Sequence, residues 1–230
     1  MTSTPLQQYY LQQMGIDIYI DRNKAVLNPA EQPAVIQSHP PGFDQDLWEQ
    51  LQQQVSTCTR CELHHSRTQT VFGVGNVQAD WLIIGEAPGA EEDRQGEPFV
   101  GRAGKLLNNM LLAIGLHREQ VFIANILKCR PPKNRDPLPA EVTSCEHYLR
   151  QQIEMIQPRI ILAVGRVAAQ NLLKIDTPIG RMRGQQFAWS PGDIPVIVTY
   201  HPAYLLRSPR EKRKVWQDLQ MAMRVYRGLQ

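Results

Sequence analysis

The sequence predicts an α/β protein of three layers, with helices covering both faces of a central four-stranded parallel sheet. From Asp80 onward, apolar runs of strand length alternate with amphipathic segments of helical length. The runs are apolar throughout, which is typical of strands buried on both faces. With 230 residues, of which 42% are hydrophobic and 20% charged, the chain can bury one good-sized core. This composition excludes a disordered or fibrous protein.

The predicted elements follow one another in a regular order. Four continuous apolar runs predict the strands, at residues 81–84, 121–124, 160–164 and 196–198. Segments with one apolar face predict the helices, at residues 106–114, 139–156, 167–173 and 209–226. Pro139 suits the first turn of the second of these helices, where a backbone N–H is not needed. This order implies parallel strands joined by right-handed helical crossovers.

Polar residues stand where the predicted strands end. Gly85 closes the first strand and precedes Glu86, Asn125 closes the second, Gly165 closes the third, and His201 lies just beyond the fourth. In a sheet of this kind, ligands bind at the carboxyl ends of the strands. We therefore expect a site at which a carboxylate, an amide, an imidazole and several arginines converge.

The first 50 residues differ from the rest in composition. They are rich in Gln and Pro and carry six acidic and two basic side chains, a net charge of −4, whereas the other 180 carry 16 acidic and 23 basic ones, a net charge of +7. We expect residues 1–50 to be an N-terminal extension and linker, and residues 51–230 to be the folded domain. A basic domain suits a polyanion, although this excess is also common in proteins that bind no nucleic acid.

Targeting and membrane segments are not recognisable in the sequence. No apolar run approaches the ~20 residues of a membrane span, and Met1 opens onto polar residues instead of a signal peptide. We expect a cytoplasmic, monomeric protein that does not bind membranes.

The four cysteines form a pattern typical of a metal site. Cys58 and Cys61 are separated by two residues, and Cys129 and Cys145 by fifteen. A Cys-x2-Cys turn points two thiolates at one centre, and a second pair completes four soft ligands for zinc or an iron–sulfur cluster. The spacing leaves the metal open, and four buried, unlinked thiols are the alternative.

Three motifs lie among and after these cysteines. GEAPGAEEDRQGEPFVGRAG begins at Gly85, NILKCRPPKNRDP begins at Asn125, and HPAYLLR begins at His201. In this order they resemble the family 4 uracil-DNA glycosylases, the iron–sulfur type, over about residues 55–227. The resemblance implies the glycosylase fold, hydrolysis of the bond between uracil and deoxyribose in DNA, a role in starting base excision repair, and a [4Fe-4S] cluster held by the four cysteines.

Asn125 has the chemistry needed to recognise uracil. An enzyme acting on a base takes it out of the stack and reads its Watson–Crick edge. The amide oxygen can accept from uracil N3–H while the amide NH2 donates to O4. Cytosine has the wrong donor and acceptor at these two positions. The matching Asn binds uracil in the family. A turn residue ending a strand is the alternative.

Phe99 and His201 are two further candidates. The ring of Phe99 can form a floor under a flipped base, as the matching family residue does. Without the resemblance, the favoured interpretation is a residue that packs in the core. His201 can aim a donor at uracil O2, where negative charge develops as the bond breaks. The matching family His does this. A lone His is more often structural, but its place before Pro202 at a strand end favours function.

Glu86 is the second predicted catalytic residue, beside His201. Related families place an Asp one position later to orient the attacking water, where this sequence has Ala87. Glu86 therefore has three open roles: it stabilises the cationic sugar, positions water, or presents its backbone to uracil. The resemblance implies that Gly85, Glu86 and Ala87 contact uracil.

The last motif and one nearby arginine are predicted to contact DNA. Leu205 and Leu206 can fill the gap left by the flipped nucleotide, with Arg207 on an adjacent phosphate. We expect this stretch to be a loop because Ser208 and Pro209 follow it. Core leucines at the start of a helix are the alternative. Arg130 adds a second basic contact at the rim.

Two charged features are predicted to take no part in catalysis. The acidic residues Glu91, Glu92 and Asp93 read as a solvated or helix-capping segment, since acids are unfavourable against phosphate. A strand-cleaving glycosylase needs an amine nucleophile, and Lys128, the lysine near the second strand, is a poor candidate. We expect a monofunctional enzyme.

The N-terminal segment carries a second, shorter resemblance. Residues 9–19, YYLQQMGIDIY, resemble the peptide of the replicative polymerase psi subunit that docks on chi. The resemblance implies the chi subunit of the DNA polymerase III clamp loader as a partner. Packing of this segment on the protein's own body is the alternative, and so is a disordered tail. At the level of the whole protein, the alternative function is a catalytically silent, glycosylase-like accessory protein held at the clamp loader.

Overall fold

The computed structural model describes residues 5–16 and 43–229. The helices are α1 Pro5–Gln13, α2 Gln45–Ser56, α3 Ala90–Gln95, α4 Arg102–Ala113, α5 Pro139–Ile156, α6 Arg166–Leu173, α7 Ile179–Met182, α8 Pro202–Arg207 and α9 Lys212–Gly228. The strands are β1 Val74–Gly75, β2 Trp81–Gly85, β3 Phe122–Asn125, β4 Ile160–Val164, β5 Gln186–Trp189 and β6 Ile194–Thr199. Within these ranges, no helix is both long and apolar enough to cross a membrane.

The sheet has the order β1-β3-β2-β4-β6-β5. Its four central strands are parallel, as the sequence predicts, and the two edge strands are antiparallel additions that the sequence analysis missed. β1 has only two residues, and β5 is mostly accessible to solvent. Neither strand therefore has the apolar run by which a buried strand is recognised in a sequence.

Successive residues of each central strand pack into two different cores. In β2, Leu82 and Ile84 join the core beneath α2, α5 and α6, whereas Trp81 and Ile83 join the core beneath α1, α4, α8 and α9. Because both faces are covered, the strands are apolar except where β3 and β6 end, at Asn125 and Thr199. The three-layer α/β/α prediction is confirmed.

The N-terminal helix α1 packs against α4. Leu11, Met14 and Ile16 are buried in the core on that side of the sheet, which matches the alternative of packing on the protein's own body. Ile18 and Tyr19, and the predicted linker as far as residue 42, lie outside the described residues.

The predicted boundary at residue 50 falls inside α2. Trp48, Leu51 and Val55 of this helix are buried, and Trp48 contacts the rings of Phe72 and Phe122. The helix is therefore part of the folded body, and residues 45–50 belong with the domain instead of the linker.

Candidate active site

The ends of β2 and β3 meet side by side. Gly85 pairs with Asn125 in the register of the two strands. A Cβ on Gly85 would lie 2.3 Å from Asn125 Oδ1 and 2.7 Å from the ring of Phe99. Because no side chain fits between them, glycine at this position lets the amide and the ring converge on one point.

The side-chain oxygen of Asn125 has no hydrogen-bond partner, although the residue is only 2% exposed. Among the described residues, Trp81 Nε1 is the other buried side-chain atom in this state. Leaving a buried acceptor unpaired costs about 1–3 kcal/mol. The oxygen is therefore available to a donor that enters the space beside Phe99.

Phe99 lies in the connection between α3 and α4 and is 7% exposed. Its ring stacks on that of His201, with the ring centroids 5.6 Å apart and an angle of 29° between the planes. The ring therefore contacts the ends of two strands that are not neighbours in the sheet, β2 through Gly85 and β6 through His201.

His201 is the residue that caps the N-terminus of α8. Its Nδ1 accepts a hydrogen bond from the backbone N–H of Ala203 at 3.1 Å, which places the ring proton on Nε2. Burial, with a smaller effect of Arg207, lowers the pKa of His201 to about 4, against an opposing effect of Glu92. The imidazole is therefore neutral at neutral pH and offers one N–H donor.

Glu86 is half-buried at the start of the loop after β2. Burial, with a smaller contribution from nearby Asp136 and against an opposing effect of Arg166, raises its pKa to about 7. Asp136 and Arg166 form an ion pair with 2.6 Å between Oδ2 and Nη2. A carboxyl group with a pKa near neutrality can exchange a proton at the pH of the cell. Ala87, the next residue, is half-buried against the core.

The predicted DNA contacts differ in their surroundings. Residues 202–207 form α8, so the prediction of a loop was wrong; Pro202 takes the first helical position. Leu205 is 1% exposed and lies in the core, which corrects its assignment as a DNA contact. Leu206 is 39% exposed, and Arg207 is exposed beside it. Arg130 is half-exposed and donates to Asn134 Oδ1 at 2.7 Å.

The acidic stretch caps helix α3 and is partly solvated, as predicted, but Asp93 is buried. Asp93 is buried and accepts from the backbone N–H of Thr68 at 2.9 Å. Glu92 accepts from the backbone N–H groups of Gly89 and Val100, both at 3.1 Å. The three-residue spacing from Gly89 to Glu92, that of a capping box, was a signal for this role in the sequence. Only Glu91 is a solvated residue, paired with Arg94.

Lys128 has no freedom to act as a nucleophile. It is 1% exposed, and its Nζ donates to Gln152 Oε1 at 2.6 Å and to the carbonyl oxygens of Asn125 and Phe72 at 3.1 and 3.2 Å. An amine held by three acceptors is not directed into the pocket, and this agrees with the expectation of a monofunctional enzyme.

The four cysteines form no disulfide, and all of them lie in or pack against the core beneath α2, α5 and α6. Cys129 Sγ accepts from Arg67 Nη1 at 3.0 Å, and Cys145 Sγ accepts from the N–H of Lys128 at 3.3 Å. Burial, against an opposing effect of Lys128 and with smaller contributions from Cys129 and Cys61, raises the pKa of Cys145 to about 12. In the part of the chain that the structure describes, no group of three or more potential ligands has the geometry for a single metal ion.

Comparison with known proteins identifies the family. The family described as the uracil DNA glycosylase superfamily matches residues 72–220. A type-4 uracil-DNA glycosylase of Archaeoglobus fulgidus is 47% identical over 172 residues, which cover 72% of this chain and 86% of that protein. One of Thermotoga maritima is 44% identical over 181 residues, which cover 77% of this chain and 94% of that protein. The chain belongs to the type-4 uracil-DNA glycosylases.

A more distant relative belongs to another type of uracil-DNA glycosylase. A type-5 uracil-DNA glycosylase of Pyrobaculum aerophilum is 31% identical over 148 residues, 57% of this chain and 64% of that protein. The superfamily match includes Gly85, Asn125 and His201 but begins after Cys58 and Cys61. In this type-4 glycosylase, the first cysteine pair therefore lies outside the part matched at the level of the whole superfamily.

Proposed function

We propose that this protein hydrolyses the N-glycosidic bond of deoxyuridine in DNA and releases free uracil, the first step of base excision repair. The unpartnered Oδ1 of Asn125 is the observation that carries the proposal. It lies beside Phe99 and Gly85 at the end of a buried strand, in the crevice where this class of sheet binds ligands. Its need for a donor matches the N3–H of uracil.

Base selection depends on Asn125. With Oδ1 accepting from N3–H, the amide NH2 faces uracil O4 as a donor. Cytosine presents an acceptor at N3 and an amino group at C4. The amide oxygen would then face an acceptor and the amide NH2 would face a donor, so neither hydrogen bond forms. A buried polar group that is left unpaired by the wrong ligand discriminates strongly. The contact of Phe99 with Gly85 puts the aromatic face next to this amide, as the floor for the base.

His201 stabilises the leaving group. As the bond from C1′ to N1 breaks, its electron pair remains on uracil and negative charge develops on O2 and N1. The neutral imidazole, with its proton on Nε2, donates a hydrogen bond to O2. A donor already in place strengthens as charge develops and costs no reorganisation, which lowers the barrier.

Glu86 takes the proton from the attacking water. The water oxygen bonds to C1′ as uracil leaves, and the carboxylate accepts the proton that water loses. A pKa of about 7 suits a general base at neutral pH. The reaction ends at the abasic site, because the amine of Lys128 is held away from the sugar by its three acceptors.

DNA is held by Leu206, Arg207 and Arg130. Leu206, exposed on α8 five residues after His201, occupies the gap left by the flipped uracil. Arg207, exposed next to Leu206, and Arg130, half-exposed in the segment after β3, bind phosphates. The net charge of +7 beyond residue 50 favours association with DNA of any sequence.

The four cysteines fit a [4Fe-4S] cluster. Soft thiolates suit iron, and both buried sulfurs already accept hydrogen bonds, from Arg67 and from the backbone of Lys128. When bound, the cluster supplies a cross-link among the segment before β1, the turn after β3 and helix α5. These cysteines thereby fix the residues that follow Asn125, which makes the role structural.

The chi subunit remains the predicted partner of the N-terminal segment. Leu11 and Met14, two of the residues in the chi-like pattern, are buried against α4. Tyr9 is 54% exposed. Docking on chi through this pattern therefore requires the segment to leave the body.

Release of free uracil from a single-stranded oligonucleotide with one deoxyuridine tests the proposal. Wild-type protein should release uracil and leave an abasic strand intact, while the matched thymine and cytosine oligonucleotides stay unchanged. Asn125→Ala and His201→Ala should each lower the single-turnover rate by about 10²-fold or more. Binding of the oligonucleotide without release of uracil would instead identify a silent accessory protein, and near wild-type rates in both variants would remove the pocket assignment.

A further inference from the structure

The backbone of Phe99 has a left-handed conformation, with φ at 54°. This region is costly for a residue with a Cβ and is uncommon for a bulky aromatic one. Such a conformation persists where surrounding groups determine it, and it is concentrated at ligand sites. The ring that we assign as the uracil floor is therefore held in place by its neighbours.

Glu92 holds the peptide groups that follow Phe99. Its Oε1 accepts from the N–H groups of Val100 and Gly101, both at 3.1 Å. Its Oε2 accepts from the N–H of Gly89 at 3.1 Å, in the loop that begins with Glu86. One carboxylate thus joins the two loops that line the pocket.

Arg118 holds the carbonyl groups on the other side. Its Nη2 donates to the carbonyl oxygen of Pro98 at 2.5 Å, and its Nη1 donates to that of Phe99 at 3.4 Å and to Asn108 Oδ1 at 3.3 Å. The backbone also lies directly on α4, since a Cβ on Gly104 would be 1.7 Å from the Phe99 oxygen. Both sides of the strained residue are therefore fixed.

We propose that Glu92 and Arg118 are positioning residues that hold Phe99 in the conformation that receives uracil. Neither has to contact the base. Because the ring touches Gly85 and stacks on His201, a change in the Phe99 backbone moves the floor relative to the amide and the imidazole. This inference rests on the proposed role of Phe99 as that floor.

Substituting Glu92 by Gln is the sharpest change. A carboxylate accepts on both oxygens, whereas an amide accepts on one and donates on the other. With the Gln oxygen facing Val100 and Gly101, its NH2 faces the N–H of Gly89, donor against donor. The side chain keeps its length and the loops lose part of their connection. Glu91→Gln is the matched control, since Glu91 is exposed and bonds to Arg94 and Gln95.

A double-mutant cycle with Phe99→Ala tests the proposal. Uracil release is measured in single turnover, and affinity for the base is measured as inhibition by free uracil. Glu92→Gln should lower both by about 10-fold, but by less than about 2-fold once Phe99 is Ala, because residues acting through one another are not additive. Arg118→Met should behave in the same way, and Glu91→Gln should match wild type in both measurements.

The outcomes separate the two proposals. If Phe99→Ala leaves release and inhibition unchanged, the floor role of Phe99 is wrong. If Phe99→Ala is impaired but Glu92→Gln and Arg118→Met reduce activity by their full factors in that background, the positioning role is wrong. Circular dichroism and thermal melting report the fold of every variant. Loss of folding in both single variants assigns the two residues to the scaffold and also overturns the proposal.

Discussion

Gly85 and Asn125 are neighbours across two parallel strands, with space between them for a hydrogen atom but not for a methyl group. A Cβ at position 85 would lie 2.3 Å from Asn125 Oδ1 and 2.7 Å from the Phe99 ring. Real Cβ atoms do not approach an oxygen this closely. The smallest side chain at one strand end therefore determines whether the amide at the next can face a ligand.

Gly85→Ala should therefore lower uracil release by about 10²-fold or more, on the scale of losing a pocket contact. The added methyl must displace the amide or the ring, and overpacking of this kind costs about 1–3 kcal/mol of stability. Single-turnover kinetics and thermal melting measure the two effects. Gly180→Ala is the control, because nothing lies within 4 Å of a Cβ there. Full activity in Gly85→Ala would show that the pocket adjusts and that its geometry is not as restrictive as the structure indicates.

A second prediction concerns pH and Glu86. Its raised pKa, about 7, means that the carboxylate is lost as pH falls through neutrality. The single-turnover rate should fall about tenfold per pH unit below pH 7 and level off above it, since only the ionised form accepts a proton from water. Glu86→Gln should be slow and should lack this pH dependence. His201, whose pKa is about 4, is neutral through the whole range and contributes no change there.

Glu86 also makes the stability of the folded state depend on pH, in the direction opposite to that of the rate. Folding raises the pKa of Glu86, so the folded state prefers the protonated form. The stabilising contribution of that proton is complete below the unfolded value of 4.5 and is lost as pH rises to about 7. At pH 8, Glu86→Gln should therefore melt no lower than wild type. A marked decrease in its melting temperature would show that the ionised carboxylate has a stabilising partner.

The sequence alone was sufficient to locate the strands that are unbroken apolar runs. β2 and β4 are readable because both of their faces are buried and every residue is apolar. The same signal placed Asn125 and His201 at strand ends. Leu205 was misassigned because a six-residue helix has too few turns to show a period, so its buried face was not apparent. Arg118 gave no signal, since its contacts with Pro98 and Phe99 depend on the fold.

The exposed leucine of α8 gives a third prediction. Leu206→Ala should slow release of uracil from duplex DNA more than from single strands, because filling the gap assists only where a base pair must open. Leu205→Ala is the contrast, since this buried side chain should cost about 2–5 kcal/mol of stability and affect both substrates alike. Equal losses on both substrates in Leu206→Ala would show that Leu206 does not enter the duplex. Arg207→Ala should reduce the salt dependence of binding by about one phosphate contact on either substrate.

The metal site gives a fourth prediction. Anaerobically purified protein should be brown, with broad visible absorption and about four irons per chain, as expected for one cubane cluster on four thiolates. Cys129→Ser should lower soluble yield before it alters the chemistry of the remaining folded protein, because Cys129 lies in the turn that follows β3. Stoichiometric zinc without iron would identify a different centre.

The last prediction concerns the N-terminal segment, which can pack on α4 of its own chain or bind the chi subunit. Leu11, Met14 and Ile16 are buried against the α4 side of the body, and the chi-like pattern uses the same residues. In the whole chain the segment must detach from α4 before it can bind chi, whereas a free peptide of residues 1–25 need not. The peptide should therefore bind the chi subunit more tightly than the whole chain does, by a factor equal to the equilibrium constant against detachment. Isothermal titration calorimetry with both partners measures that factor. Deleting residues 1–16 should lower the melting temperature, because it exposes the apolar face of α4, yet leave uracil release from short oligonucleotides unchanged below that temperature. If neither the peptide nor the chain binds chi, the segment is part of the fold alone.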